Sequence, residues 1–66
     1  MKRLWDYLYK KVKIETKDGR TLSGDVVSVT SSVETESGYD EIDIDYGTYL
    51  EVVDESEIKS IEVLDE

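Results

Sequence analysis

The sequence predicts a mainly β chain: a small, strongly bent five-stranded antiparallel barrel preceded by an N-terminal α-helix. Three observations lead there. Apolar and polar residues alternate in short runs, as at Val12, Ile14 and Thr16 against Lys11, Lys13, Glu15 and Lys17. Asp18-Gly19 supplies a hairpin turn, because glycine tolerates a positive φ. Gly24 then falls inside the second strand, where a missing side chain marks a sharp bend or bulge. A hairpin whose second strand bends hard is how a small sheet curls on itself.

The elements follow in order. Residues from about 2 to 11 read as a helix, since Leu4 and Leu8, like Trp5 and Tyr9, lie four apart and share a face. So short a helix does not hold alone in water and is expected to lie across the open end of the barrel. Its other use would be as a membrane-surface or partner-binding helix, basic at one end with Trp5 at its lip. The first strand carries Val12, Ile14 and Thr16 on one side. The second runs from about Arg20 to Thr30, with Val27 and Val29 on one side and Val26 on the other. Ser31 to Tyr39 is polar, contains Gly38 and reads as a loop. Asp40 to Tyr46 alternates with Ile42, Ile44 and Tyr46 inward and Glu41, Asp43 and Asp45 outward. Tyr46-Gly47 turns the chain into a fourth strand, Thr48 to Val53. Asp54-Glu55-Ser56-Glu57 makes a tight polar turn, and Ile58 to Leu64 is the fifth strand.

The chain has 66 residues, one domain over 1–66, close to the size at which a single core barely offsets chain entropy. It has no cysteine and no histidine, so no disulfide or zinc site is expected to staple it. Small unstapled domains gain stability by associating with copies of themselves, which favours a homo-oligomer. The absence of cysteine and of a signal peptide points to the cytoplasm, and no apolar run is long enough to span a membrane. The net charge of −9 is unevenly placed. Residues 1–20 hold seven cations and three acids, a net of +4, whereas residues 21–66 hold Lys59 against fourteen acids, a net of −13. These acids read as solvated outer faces of strands, or as a body that attracts the basic segment of a neighbouring subunit.

Val12, Ile14, Asp18, Gly19 and Gly24, followed by Val26, Val27 and Val29, make a pattern that resembles the first motif of the Sm-like (LSM domain) proteins. Val52-Val53, the turn Asp54 to Glu57, and then Ile58 and Ile61 resemble the second. The resemblance covers nearly the whole chain, and the ending Glu57 to Leu64 looks like that of short, uncharacterised bacterial and phage-associated members. It implies the SH3-like barrel of that family, with Gly19 and Gly24 as the residues that define it. It also implies assembly by pairing the fourth strand of one subunit with the fifth of the next. Tyr49, Glu51 and Val53 on one edge and Ile58, Ser60 and Glu62 on the other would carry that contact.

Departures from the family bear on function. RNA-binding members place an aspartate and an asparagine in the loop after the second strand, and an arginine-glycine pair in the last turn. The matching positions here are Thr30, Val33-Glu34 and Asp54-Glu55, so two parts of the usual uridine site are inverted in charge. RNA has another candidate face, where Lys2, Arg3, Lys10, Lys11 and Lys13 interleave with Trp5, Tyr7 and Tyr9; Trp5, Lys10, Lys11 and Lys13 are its expected contacts. The alternative is that the rings are core and the lysines its solvated rim. No enzyme and no cofactor is expected, because the sequence offers no histidine, no cysteine and no phosphate-cradling glycine loop. Asp43, Asp45 and Gly47 only faintly echo a calcium loop, so no metal site is expected. The leading reading is a non-enzymatic Sm-like oligomeric module whose protein or RNA partner is unknown. The contrasting one is an acidic inhibitor that imitates nucleic acid on a basic protein.

Overall fold

In the computed structural model, which describes residues 3–64, a 3₁₀ turn at Leu4–Tyr7 leads into β1 (Lys11–Thr16) and β2 (Thr21–Thr30). A second 3₁₀ turn, Ser32–Glu34, precedes β3 (Glu41–Asp45) and β4 (Leu50–Asp54), and a third, Glu55–Glu57, leads into β5 (Ile58–Val63). The strands form one antiparallel sheet of five in the order β4-β3-β2-β1-β5. The sheet is not closed: β4 and β5 are its edges, and no ladder joins them among the described residues. They are nevertheless consecutive in the chain. The four residue steps from Asp54 to Ile58 span at most about 14 Å, so the sheet curls enough to bring the end of β4 near the start of β5.

Gly24 permits that curl. The first half of β2, up to Asp25, pairs with β1, while its second half, from Asp25 onward, pairs with β3. A Cβ on Gly24 would lie 2.6 Å from Cγ2 of Ile44 and 2.8 Å from the Asp45 carbonyl oxygen. Only a residue without a side chain lets β3 pass this close. The hairpin before it turns at Gly19, with φ +97°. Thr16 stitches that turn: its hydroxyl donates to the Asp18 carboxylate and accepts from the Arg20 N–H at 2.9 Å. The Thr16 hydroxyl is the main reason the Asp18 carboxyl sits below its ordinary range.

The core lies inside the curl, where Val12, Ile14, Val26, Ile42, Ile44 and Val53 are fully buried and Leu4, Tyr7 and Leu22 nearly so. Two bulges decide which residues reach it. Between β2 and β3 the register steps from Val26↔Ile44 to Ser28↔Asp43, which leaves Val27 as the extra residue. Val26 and Val29 therefore face the core, and the strict alternation that set Val26 apart from Val29 fails at this point. Between β1 and β5 the register steps from Glu15↔Ser60 to Thr16↔Ile58, leaving Lys59 extra, so Ile58 and Ile61 both pack on the core.

The expected α-helix over residues 2–11 does not form. Only the four-residue turn Leu4–Tyr7 is helical, while Lys2 lies outside the described residues. Leu4 and Tyr7, three apart, are the buried pair, as the three-residue period of a 3₁₀ turn requires. Leu8 leaves the helix at φ −58° and ψ 132°, and Tyr9 turns over into the left-handed region at φ 66°. That conformation costs a side-chain-bearing residue about 1–2 kcal/mol. It brings the Tyr9 N–H to the Val26 carbonyl at 2.7 Å and the Val26 N–H to the Lys10 carbonyl at 3.0 Å. Bonds to the sheet thus replace the helical ones. The fourth strand begins at Leu50 instead of Thr48, because a bond from the Tyr46 N–H to the Tyr49 carbonyl, 3.0 Å, holds the preceding residues in a turn.

Candidate functional site

Three surfaces carry the expected functional residues. The first joins the loop after β2 to the turn after β4. Asp40 links them: its carboxylate accepts from the Ser32 N–H and its carbonyl from the Glu55 N–H, both at 2.9 Å. Across the strands, Thr30 lies opposite Glu41, and Glu41 opposite Asp54. These contacts bring Asp40, Glu41, Asp54 and Glu55 together beside Thr30, so carboxylates gather where the two loops meet. The Asp54 carboxylate is occupied in capping the turn, accepting from the Ser56 N–H at 2.8 Å. Such a surface repels a phosphate chain.

The second surface surrounds the first turn. Trp5 is half-buried and the Arg3 guanidinium lies over its ring, 5.2 Å from the centroid. Lys13 reaches Glu62 across the β1–β5 ladder at 3.7 Å. Lys10 and Lys11 are exposed, and neither makes an ion pair among the described residues. Tyr9, which precedes them in the chain, is 80% exposed. The sequence reading gave Tyr9 only a place among the interleaved rings, since nothing in a tyrosine's identity announces a positive φ.

The third surface comprises the two sheet edges. On β4, Val53 is buried in the core, while the Glu51 carboxylate accepts from Arg20 Nη1 at 3.1 Å and from the Tyr46 hydroxyl at 2.8 Å. This pairing also holds the Arg20 guanidinium above its ordinary range. The apolar side chains that β4 leaves in solvent are Leu50 and Val52, each 56% exposed, with Tyr49 just before them. Alternation anchored on Val53 instead of on its neighbour Val52 overlooked that pair. On β5, Ile58 and Ile61 join Leu4 and Tyr7 around an apolar hollow of about 230 Å³. The Ser60 hydroxyl donates to Glu15 at 3.3 Å, and Glu62 holds Lys13.

The Tyr46–Glu51 bond has a measurable consequence. Burial, and then the neighbouring Glu51 carboxylate, push the Tyr46 hydroxyl up to about 12. The folded state thus holds this proton more tightly than the unfolded chain does. Its contribution to stability is complete below the unfolded value near 10 and is lost as pH rises through about 12. Tyr46→Phe is therefore expected to flatten the fall in melting temperature across that window relative to the unaltered chain. Parallel slopes in the two proteins would contradict the assignment.

The chain matches no family profile, no curated protein and no solved structure. No helix among the described residues is long and apolar enough to cross a membrane.

Proposed function

We propose that this chain is a non-enzymatic Sm-like assembly module that associates with copies of itself through the open edges of its sheet. The observation that carries this reading is the state of β4: an unpaired edge strand with Leu50 and Val52 turned to solvent. Such an edge invites association, and a symmetric assembly removes the hazard by giving every edge a partner. The order β4-β3-β2-β1-β5, the close approach of β3 at Gly24 and the short turn before β5 support the family reading. In this reading the curled sheet is a five-stranded barrel, and β4 of one subunit pairs with β5 of the next. Light scattering on a sizing column at low and at moderate salt tests the proposal. A stable particle of several subunits is expected, and a monomer at both salts would overturn it.

A second reading has its own support. Glu41, Asp43 and Asp45 alternate along β3, with Asp25 opposite Asp45 and Asp54 opposite Glu41, so carboxylates line one sheet face. A small acidic particle of this kind fits an inhibitor that imitates nucleic acid. That reading expects a monomer whose affinity for a basic protein falls steeply with salt.

A further inference from the structure

The bulge in β5 does more than shift the register. It lets Ile58 and Ile61 both pack on the core, with the extra residue, Lys59, directly after Ile58. With Leu4 and Tyr7 of the first turn, the two isoleucines wall the hollow of about 230 Å³. Its lining also carries charge of both signs, Lys59 on β5 and Glu55 in the turn before it. Lys59 is the only cation in residues 21–66, and neither it nor Glu55 makes an ion pair among the described residues. The neighbouring Ser60 hydroxyl is already given to Glu15.

An apolar hollow lined by one unpaired cation and one unpaired acid matches a small zwitterion with an apolar tail. We propose that it binds a free apolar α-amino acid such as leucine, whose side chain enters between the isoleucines and the first turn. Its carboxylate meets Lys59 and its ammonium meets Glu55. An α-amino acid carries both charges beside its side chain, so one small molecule answers all three features. Other occupants answer fewer. A hydrocarbon leaves both charges unused. An alkyl carboxylate faces Glu55 and a chain of net charge −9, while an alkylamine faces Lys59. The volume lies below the roughly 300–1,000 Å³ of sites for drug-sized ligands, which suits one side chain and little more. Every residue of the site belongs to one subunit, so binding does not rest on assembly.

The test is an NMR titration of the whole chain with leucine, read at the methyl groups of Ile58 and Ile61. Saturable shifts of those methyls are expected. Lys59→Gln and Glu55→Gln should each weaken binding about fivefold with little change in melting temperature, since both groups act near the surface. Lys59→Arg, which keeps the charge, should bind nearly as well as the unaltered chain. Ile61→Trp fills the hollow and is expected to abolish binding, with circular dichroism to check that this variant folds. Isocaproate and isoamylamine keep the tail and one charge each, and should bind about fivefold more weakly than leucine or worse. Three results would overturn the proposal: no saturable shift with leucine, undiminished binding by either glutamine variant, or a single-charge analogue that binds as well as leucine does.

Discussion

Gly24→Val is expected to abolish the fold, and Gly24→Ala to lower stability by about 2–3 kcal/mol, read from urea midpoints. The alanine Cβ would meet the Ile44 side chain at 2.6 Å and the Asp45 carbonyl at 2.8 Å. The side chain can rotate or be trimmed. The carbonyl cannot, because it belongs to the β3 backbone that the second half of β2 is paired with. Ile44→Ala alone should cost about 2–5 kcal/mol, as Ile44 is fully buried. The double variant with Gly24→Ala should therefore fall short of the sum of the two losses, yet stay well below the unaltered chain. A domain of 66 residues holds roughly 3–10 kcal/mol in all, so valine, with two further methyl groups, exceeds what the sheet can absorb. An unchanged midpoint for Gly24→Ala would show that β2 and β3 do not approach as described. Gly19 provides the contrast: a Cβ there meets nothing within 4 Å, so alanine carries only the strain of φ +97°.

Converting Leu50 and Val52 together to lysine is expected to reduce an assembled particle to single subunits, raising the concentration for dissociation more than a hundredfold. Both side chains are exposed, so the subunit itself loses little burial. Leu50 lies directly opposite Asp45 and Val52 opposite Asp43, so each new lysine gains a carboxylate within its own subunit. At a strand-to-strand contact, by contrast, the same lysines would give up hydration in place of an apolar contact, which weakens the association. The variant should consequently melt no lower than the unaltered chain at high dilution while its scattering mass drops to that of one chain. An unchanged mass, with circular dichroism intact, would remove β4 from the interface.

Much of this architecture was legible because one face of β1 and of β3 is buried. Val12, Ile14 and Thr16, and again Ile42 and Ile44, alternate as a half-buried strand must, and their burial follows that pattern. Gly19 announced the turn; Gly24 reads as a bend or bulge, whereas the structure shows a close approach of β3 there and puts the bulge at Val27. Errors arose where the period itself changes. A bulge at Val27 or Lys59 moves every following side chain to the other face, and no local residue type marks it. The missing helix has a different origin. Leu4, Trp5, Leu8 and Tyr9 have helical spacing, but the Val26 N–H and carbonyl bond the chain at Tyr9 and Lys10 in place of another helical turn. As for the sites, charge inversion around Asp54-Glu55 was readable from residue types alone. The openness of Tyr9 and the shielding of Trp5 were not, since both depend on where the backbone turns.

The pairing of β1 with β5 sets a schedule for the newborn chain. β1 is made first of the five strands and occupies an interior place, between β2 and β5. Residues 12 and 63 must meet for that place to be filled. While synthesis has reached only Asp54, β1 to β4 can form, but the side of β1 that Val63 will cover stays bare. Completion then waits on a pairing that spans most of the chain, the kind of distant contact that makes β-sheet domains slower folders than helical bundles of equal length. A nascent or clipped chain ending before β5 would thus hold a different sticky strand from the finished subunit, one that belongs to the interior.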